Sequence, residues 1–260
     1  MSVLFVVPTL GRRPELLERS LASIAAQGRD DVDLVVVAPR GADLGDALER
    51  VGARRVADPG RGGISGALNA GLAAARPGTT WFAWLGDDDL LAPGSLDTTV
   101  AALEADDRAV LAYGWCDYVD DRDQVVFRSR AGRLARAILT FGPNLVPQPG
   151  SLMRYDAVRA VGGLDESVRL ALDLDLFLRL RRRGRVVAVP RTLAAFRWHA
   201  GSSTVEQGEA SMEESDQVRM RYMPRPVAAA YDVGRWPGRW ALRLAKRRVD
   251  RNVARAALAG

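Results

Sequence analysis

The sequence predicts an α/β protein, a mostly parallel sheet flanked by helices and followed by a basic helical tail. Three observations predict it. The runs Val3–Val7, Asp33–Ala38 and Trp81–Leu85 are apolar without alternation, as strands buried on both faces are. Segments with apolar residues at helical spacing, or made of small residues, separate those runs. Turn residues then gather after the strands, at the carboxyl ends where ligands bind in open α/β sheets.

Val3–Val7 is the first strand, and Pro8-Thr9-Leu10-Gly11 ends it. In Pro14–Ile24, Leu17, Leu21 and Ile24 recur at helical spacing. Asp33–Ala38 is the second strand and Asp43–Val51 a short helix. Arg54–Ala57 is a third strand, and Asp58-Pro59-Gly60-Arg61-Gly62-Gly63 a loop. Ser65–Ala75 has the small-residue composition of a closely packed helix, and Trp81–Leu85 is the fourth strand. A helix then runs from Ser95, an expected N-cap, to Leu103. Val110–Val119 and Gln124–Arg128 read as antiparallel strands around the turn Asp120-Asp121-Arg122-Asp123.

Phe141–Gly150 holds three prolines and is expected to be largely loop. Tyr155–Val161 is a helix leading to Gly162-Gly163-Leu164-Asp165-Glu166. Leu170, Leu172, Leu174 and Leu176 alternate like a strand, but length and the stop at Gly184 favour a helix over Asp173–Arg183. Val186–Val189 is a strand, and Arg197–Ser203 a loop carrying the single histidine, His199. Glu206–Asp216 is a mildly low-complexity acidic stretch, and no internal repeat is visible.

Composition narrows the function classes. A chain of 260 residues, 48% hydrophobic and 27% charged, suits one large globular domain or two small ones. No run approaches the ~20 apolar residues of a membrane span. The first eight residues lead straight into a strand without a basic leader, so a cytoplasmic location is expected, with attachment at the inner membrane face through the tail as its extension. A single cysteine, Cys116, excludes an intramolecular disulfide and a thiolate metal cluster. Of the formal +5, residues 235–255 carry +7 and the rest −2. The basic balance therefore describes a tail, and no nucleic-acid partner is expected for the body.

The chemistry concentrates at Asp87-Asp88-Asp89, immediately after Trp81–Leu85. Adjacent carboxylates at the mouth of a buried strand raise one another's cost of ionisation unless a cation joins them. A hard divalent ion, Mg²⁺ or Mn²⁺, prefers such oxygen ligands and often shares them with a phosphorylated substrate. The competing reading is a solvated acidic turn.

Taken in order, six segments resemble glycosyltransferase family 2, with its nucleotide-sugar-binding, Rossmann-like GT-A-type fold. They are Val6-Val7-Pro8-Thr9, Gly63-Ile64-Ser65-Gly66-Ala67-Leu68-Asn69-Ala70-Gly71, Trp84-Leu85-Gly86-Asp87-Asp88-Asp89, Gly162-Gly163-Leu164-Asp165-Glu166, Asp173-Leu174-Asp175-Leu176 and Arg197-Trp198-His199. Each is weak alone; their order and spacing carry the resemblance. It covers roughly residues 1–205. It implies a catalytic domain there, with a nucleotide-sugar half over about 1–115 and an acceptor half over about 116–205, and a helical extension over 206–260.

The implied activity is inverting, metal-dependent transfer of a sugar from a nucleoside diphosphate to a hydroxyl acceptor: a saccharide, a lipid-linked group or a small molecule. Asp173 holds the position of the base. Its competing reading is a helix N-cap, and a first-turn position would favour its ionised form through the helix dipole. Asp88 and Asp89 are the implied metal ligands, with His199 as a supplementary contact to metal or diphosphate. Pro8, Thr9, Asp58, Asn69, Asp87 and Asp88 are the implied donor contacts. Gln148 and Trp198 are weaker candidates for the acceptor pocket, and Asp165 is structural or near the acceptor.

Three departures stand out. The acidic pair that the family places after its second strand is replaced by Pro39-Arg40-Gly41, and arginine cannot accept a bond from a base N–H. The family's first metal carboxylate aligns with Gly86, so the motif reads either as Asp87-x-Asp89 or through Asp88. Leu68 also stands where the family has arginine.

The tail has its own alternatives. Leu242, Ala245, Val249, Val253 and Ala256 share one helical face opposite arginines, with Trp236 and Trp240 nearby. Such a helix suits an anionic membrane surface, docking onto the body, or a homodimer contact. Among rivals for the whole chain, a sugar-nucleotide pyrophosphorylase lacks its glycine-rich N-terminal signature. A nicotinamide enzyme would use Gly60-x-Gly62-x-x-x-Gly66, which follows the wrong strand. A degenerate binding or assembly module without transferase activity is the alternative favoured by the missing acidic pair.

Overall fold

The computed structural model describes residues 2–130, 132–142, 144–198, 208–234, 243–244 and 247–255. His199 and the tail residues Trp236, Trp240, Leu242, Ala245 and Ala256 lie outside the described residues. The chain runs β1 (Ser2–Pro8), α1 (Pro14–Ala25), β2 (Val32–Ala38), α2 (Ala47–Arg50), β3 (Arg54–Ala57), α3 (Gly63–Ala73) and β4 (Thr79–Trp84). It continues through β5 (Leu90–Leu91), α4 (Ser95–Glu104), β6 (Ala109–Val119), β7 (Val125–Ser129), α5 (Arg133–Ile138), β8 (Leu152–Arg154), α6 (Tyr155–Ala160), α7 (Leu172–Arg181) and β9 (Arg185–Arg197). Two further helices follow, α8 (Gly208–Tyr222) and α9 (Arg225–Gly234), and residues 247–255 form a helix, α10.

The strands form one sheet in the order β3-β2-β1-β4-β8-β6-β9-β5, with β7 on β6. The long ladders, β1 with β2 and β6 with β9, are parallel; β8 runs antiparallel between β4 and β6. Unbroken apolar strands are explained by burial on both faces. Val3, Phe5 and Val7 pack with Leu17, Leu21 and Ile24 of α1, while Leu4 and Val6 pack with Leu68 and Leu72 of α3. A Cβ at Gly71 would lie 2.6 Å from Val6 Cγ1, so only glycine lets α3 sit this close to β1.

Several boundaries differ from the sequence reading. The β9 strand extends to Arg197, far beyond Val189, because it pairs with β6 along its length. Its register slips between the pairs Tyr113–Ala188 and Trp115–Thr192, so Pro190 falls in a bulge, where no ladder donor is needed. Arg197 is therefore strand, not loop. The α2 helix is one turn instead of spanning Asp43–Val51, since Gly45 takes a positive φ of 55° and donates to the Asp43 carboxylate. The short strands β5 and β8 and the helix α5 carried no sequence signal long enough to read.

Candidate active site

At the carboxyl ends of β1, β4 and β6 lies a cleft of about 1540 Å³. Its acidic corner grows directly out of β4. Leu85 N–H still donates to Val6 O of β1 (3.1 Å), and Gly86 O then accepts from the Ser20 hydroxyl (3.0 Å) and the Asp89 N–H (3.3 Å). That turn gathers the three carboxylates. A Cβ at Gly86 would stand 2.9 Å from Asp88 Oδ1 and 3.0 Å from Asp89 Oδ2, so a side chain there would require these carboxylates to shift.

Each carboxylate meets different surroundings. Asp87 accepts the Thr9 hydroxyl through one oxygen (2.5 Å) and lies 3.7 Å from the Arg13 guanidinium through the other. Asp88 lies 3.1 Å from the same guanidinium. Asp89 is 4% exposed and accepts the Arg197 backbone N–H (2.9 Å). The Arg197 side chain, 1% exposed, then ties the corner together. It donates to Asp88 O (3.0 Å), Asp120 O (2.8 Å) and the Asp123 carboxylate (2.5 Å), which also pairs with Arg19 of α1.

Burial pushes the Asp87 carboxyl above its ordinary range against the Thr9 bond, with the Asp88 charge adding to the rise. Asp89 is pushed up further, again by burial first and Asp88 second. Even with Arg13 and Arg197 in place, burial and mutual repulsion keep Asp87 and Asp89 costly to ionise. That is the environment a hard divalent cation relieves, and three carboxylates are suitable oxygen donors. Among the described residues, no three histidine, cysteine or acidic groups converge closely enough to form a complete cage as they stand.

The same cleft is lined by Asp173. It lies in the first turn of α7, after the cap residue Ala171. Glu214 of α8 stabilises that helix end by accepting the N–H groups of Arg169 (3.0 Å), Leu170 (2.5 Å) and Ala171 (2.7 Å). Asn144 donates to Asp173 Oδ2 (3.0 Å). Burial nevertheless raises the Asp173 carboxyl above its ordinary value, overriding the Leu174 N–H, Asn144 and the nearby Arg219 charge. The dipole was expected to hold this group well ionised; loss of water outweighs it. Asp173 and the acidic corner line the same cleft. Burial also raises the Tyr118 phenol, and both Asp89 and Asp173 act on it, so the ring stands within electrostatic reach of both acids.

Pro8, Thr9 and Asp58 also line the cleft. Asp58 turns one oxygen to the Gly60 N–H (2.8 Å). Asn69 does not line it: its amide clamps Leu164, donating to Leu164 O (2.9 Å) and accepting Leu164 N–H (2.9 Å). Leu68 is fully buried in the core. Asp165 sits on an outer turn, bonded to Ser167 and Arg221. Gln148 lines the cleft and donates to Trp84 O (2.8 Å), fixing the proline-rich loop to the end of β4. After β2, exposed Arg40 sits in a loop whose carbonyls at Pro39, Arg40 and Ala42 are gathered by Arg55.

Arg13, Asn144 and Glu214 escaped the sequence reading. One signal was available for Arg13: it precedes the first turn of α1, where the helix dipole disfavours a cation unless carboxylates face it. Asn144 and Glu214 are joined to α7 only by contacts 29 and 43 to 45 positions away in sequence.

The described part of the tail docks on the body. Val249 of α10 is buried, Trp198 donates its indole N–H to Asp250 (3.0 Å), and Asn252 donates to Val126 O (2.9 Å). Trp198 belongs to an aromatic group with Tyr118, Phe127 and Phe196 at the rim of the cleft. Arg247, Arg248, Arg251 and Arg255 stay exposed. Among the described residues, no helix is long and apolar enough to cross a membrane.

A largely parallel α/β sheet opening at its strand ends onto a carboxylate-lined cleft fits a glycosyltransferase. Residues 4–161 match glycosyl transferase family 2, and the chain belongs to that family. Solved structures agree on the GT-A fold. The mannosyltransferase PcManGT from Pyrobaculum calidifontis, in complex with GDP-Man and Mn²⁺, superposes with a TM-score of 0.67 at 19% identity, over 99% of this chain and 75% of that one. S. aureus TarS 1-349 superposes with a TM-score of 0.62 at 15% identity, over 89% of this chain and 68% of that one. The same TarS fragment with UDP-GlcNAc gives 0.59 at 15% identity, over 89% and 70%. Against the longer TarS structure the chain spans 42% of the length. No curated protein matches the chain by sequence.

Proposed function

We propose that the protein is an inverting, metal-dependent transferase that moves a sugar from a nucleoside diphosphate to an acceptor hydroxyl. The observation that carries this reading is the shared cleft, lined both by the Asp87-Asp88-Asp89 corner and by the half-buried Asp173. Residues before β6 hold the donor, and later residues hold the acceptor. Asp88 and Asp87, which face Arg13, are the first candidates to hold Mg²⁺ or Mn²⁺, with Asp89 completing the set. The mannosyltransferase bound to Mn²⁺ supports a divalent ion of this kind. When bound, the ion supplies Lewis-acid neutralisation of the departing diphosphate.

Asp173 takes the proton of the acceptor hydroxyl. The hydroxyl oxygen bonds to the anomeric carbon on the face opposite the diphosphate, whose bond to that carbon breaks. Asn144 aims the carboxylate, and the walls of the cleft limit competing attack by water. Calorimetry with UDP, GDP and dTDP, with and without Mn²⁺, tests the reading. Metal-dependent binding to the wild type and its loss in Asp88→Ala are expected. Equal nucleotide affinity with and without metal would remove the metal from the mechanism.

The donor sugar is a hexose or deoxyhexose in this reading, and the tail extends it. With Val249 turned to the body, α10 exposes four arginines against one acid, Asp250, which suits electrostatic contact with an anionic membrane rather than insertion. Deleting residues 235–260 should then lower partition onto phosphatidylserine vesicles at low salt, and unchanged partition would dismiss the contact.

A further inference from the structure

We propose that Arg13 is the resident cation of the acidic corner, displaced by the divalent ion and then received by the donor's diphosphate. This inference rests on the transferase reading above. Arg13 stands at the N-cap of α1, where no side-chain hydrogen bond caps the helix. The positive end of the helix dipole opposes a guanidinium there. Its guanidinium nevertheless points at Asp88 (3.1 Å) and Asp87 (3.7 Å), the two carboxylates that face it. A stand-in cation on those oxygens shows what charge the corner seeks.

A divalent ion at those two oxygens competes with the guanidinium, because like charges would then share one small site. Arg13 must swing aside. Its side chain is 36% exposed and lines the same cleft, so it can move without opening the core. A diphosphate beside the ion supplies the anion it then needs, and a planar guanidinium matches phosphate oxygens bidentately. Metal alone is therefore held more weakly, since it must break the contacts of Arg13 with Asp87 and Asp88 and brings no diphosphate to replace them. Metal and nucleotide together are held tightly. The device couples the two ligands and discourages unproductive occupation by metal alone.

The test separates the two affinities. Mn²⁺ binding is titrated by electron paramagnetic resonance without nucleotide, and UDP and GDP binding by calorimetry at saturating Mn²⁺. Relative to wild type, Arg13→Gln should bind Mn²⁺ alone about tenfold more tightly and the nucleotide about tenfold more weakly. Arg13→Lys should fall between the two. Arg12→Gln controls for loss of one cleft charge and should change Mn²⁺ affinity much less. Unchanged or weaker Mn²⁺ binding in Arg13→Gln overturns the proposal, and so does unchanged nucleotide affinity. If the wild type binds nucleotide with metal but Arg13→Gln behaves identically, only this inference falls. If the wild type shows no metal-dependent nucleotide binding, the transferase reading falls and takes this one with it.

Discussion

Asp173→Asn should bind UDP or GDP with Mn²⁺ as the wild type does, yet lose sugar transfer by about 10²–10⁴-fold. The substitution keeps size and the Asn144 contact region but removes the charge proposed to accept the acceptor's proton. Burial gives the prediction a pH signature. The active base is deprotonated, so transfer rises as pH rises through its pKa. That pKa is raised above the ordinary 3.8 by loss of water, so the acid limb of the rate profile should lie above the usual carboxylate range. Asn144 donates to the charged form and pulls the other way. Asn144→Leu should therefore move the acid limb to still higher pH while leaving the alkaline side in place. Full transfer by Asp173→Asn, measured by product mass, would strip Asp173 of the base role.

Arg197→Met should be the most damaging single change to the corner itself. The side chain is almost the volume of methionine's, but three bonded partners are left behind: Asp88 O, Asp120 O and the Asp123 carboxylate. Breaking a buried ion pair from one side costs roughly 3–5 kcal/mol, and Asp123, about a third exposed, places the loss toward the lower figure. Metal-dependent nucleotide binding should go with it, because Asp88 loses the anchor of its backbone. Arg197→Lys retains charge but not the planar fork, so it should recover stability only in part. Denaturant unfolding and calorimetry read the two effects separately. A midpoint near wild type together with unchanged nucleotide affinity would show that the corner holds its shape without Arg197.

Much of this arrangement was legible in the chain. The strands β1, β2 and β4 were readable because burial on both faces demands unbroken apolar runs, and each expected run matches its strand within about two residues. The carboxylate cluster was visible as a run of like charge after a buried strand, whereas Asp173 was singled out only through the resemblance to the family. Other elements left no such trace. The short strands β5 and β8, of two and three residues, have no period to detect. The β9 strand looked broken at Pro190, since a sequence does not show that a bulge will excuse the missing donor. The α8 helix read only as an acidic stretch, yet its Glu214 caps α7 and its Val218 is buried.

By itself, then, the order of residues determined the family and the strand-end position of the acidic cluster. Those depend on local pattern and on motifs that survive in one dimension. Tertiary structure alone decided which carboxylate meets which cation, how far water is excluded from Asp173, and where the tail helix rests. These are properties of burial and of contacts between distant segments: Arg13 with Asp88, Asn144 with Asp173, Trp198 with Asp250. Charge and hydrogen-bond energy depend on what surrounds a group in space, and neighbours in space are written nowhere in the order of the chain.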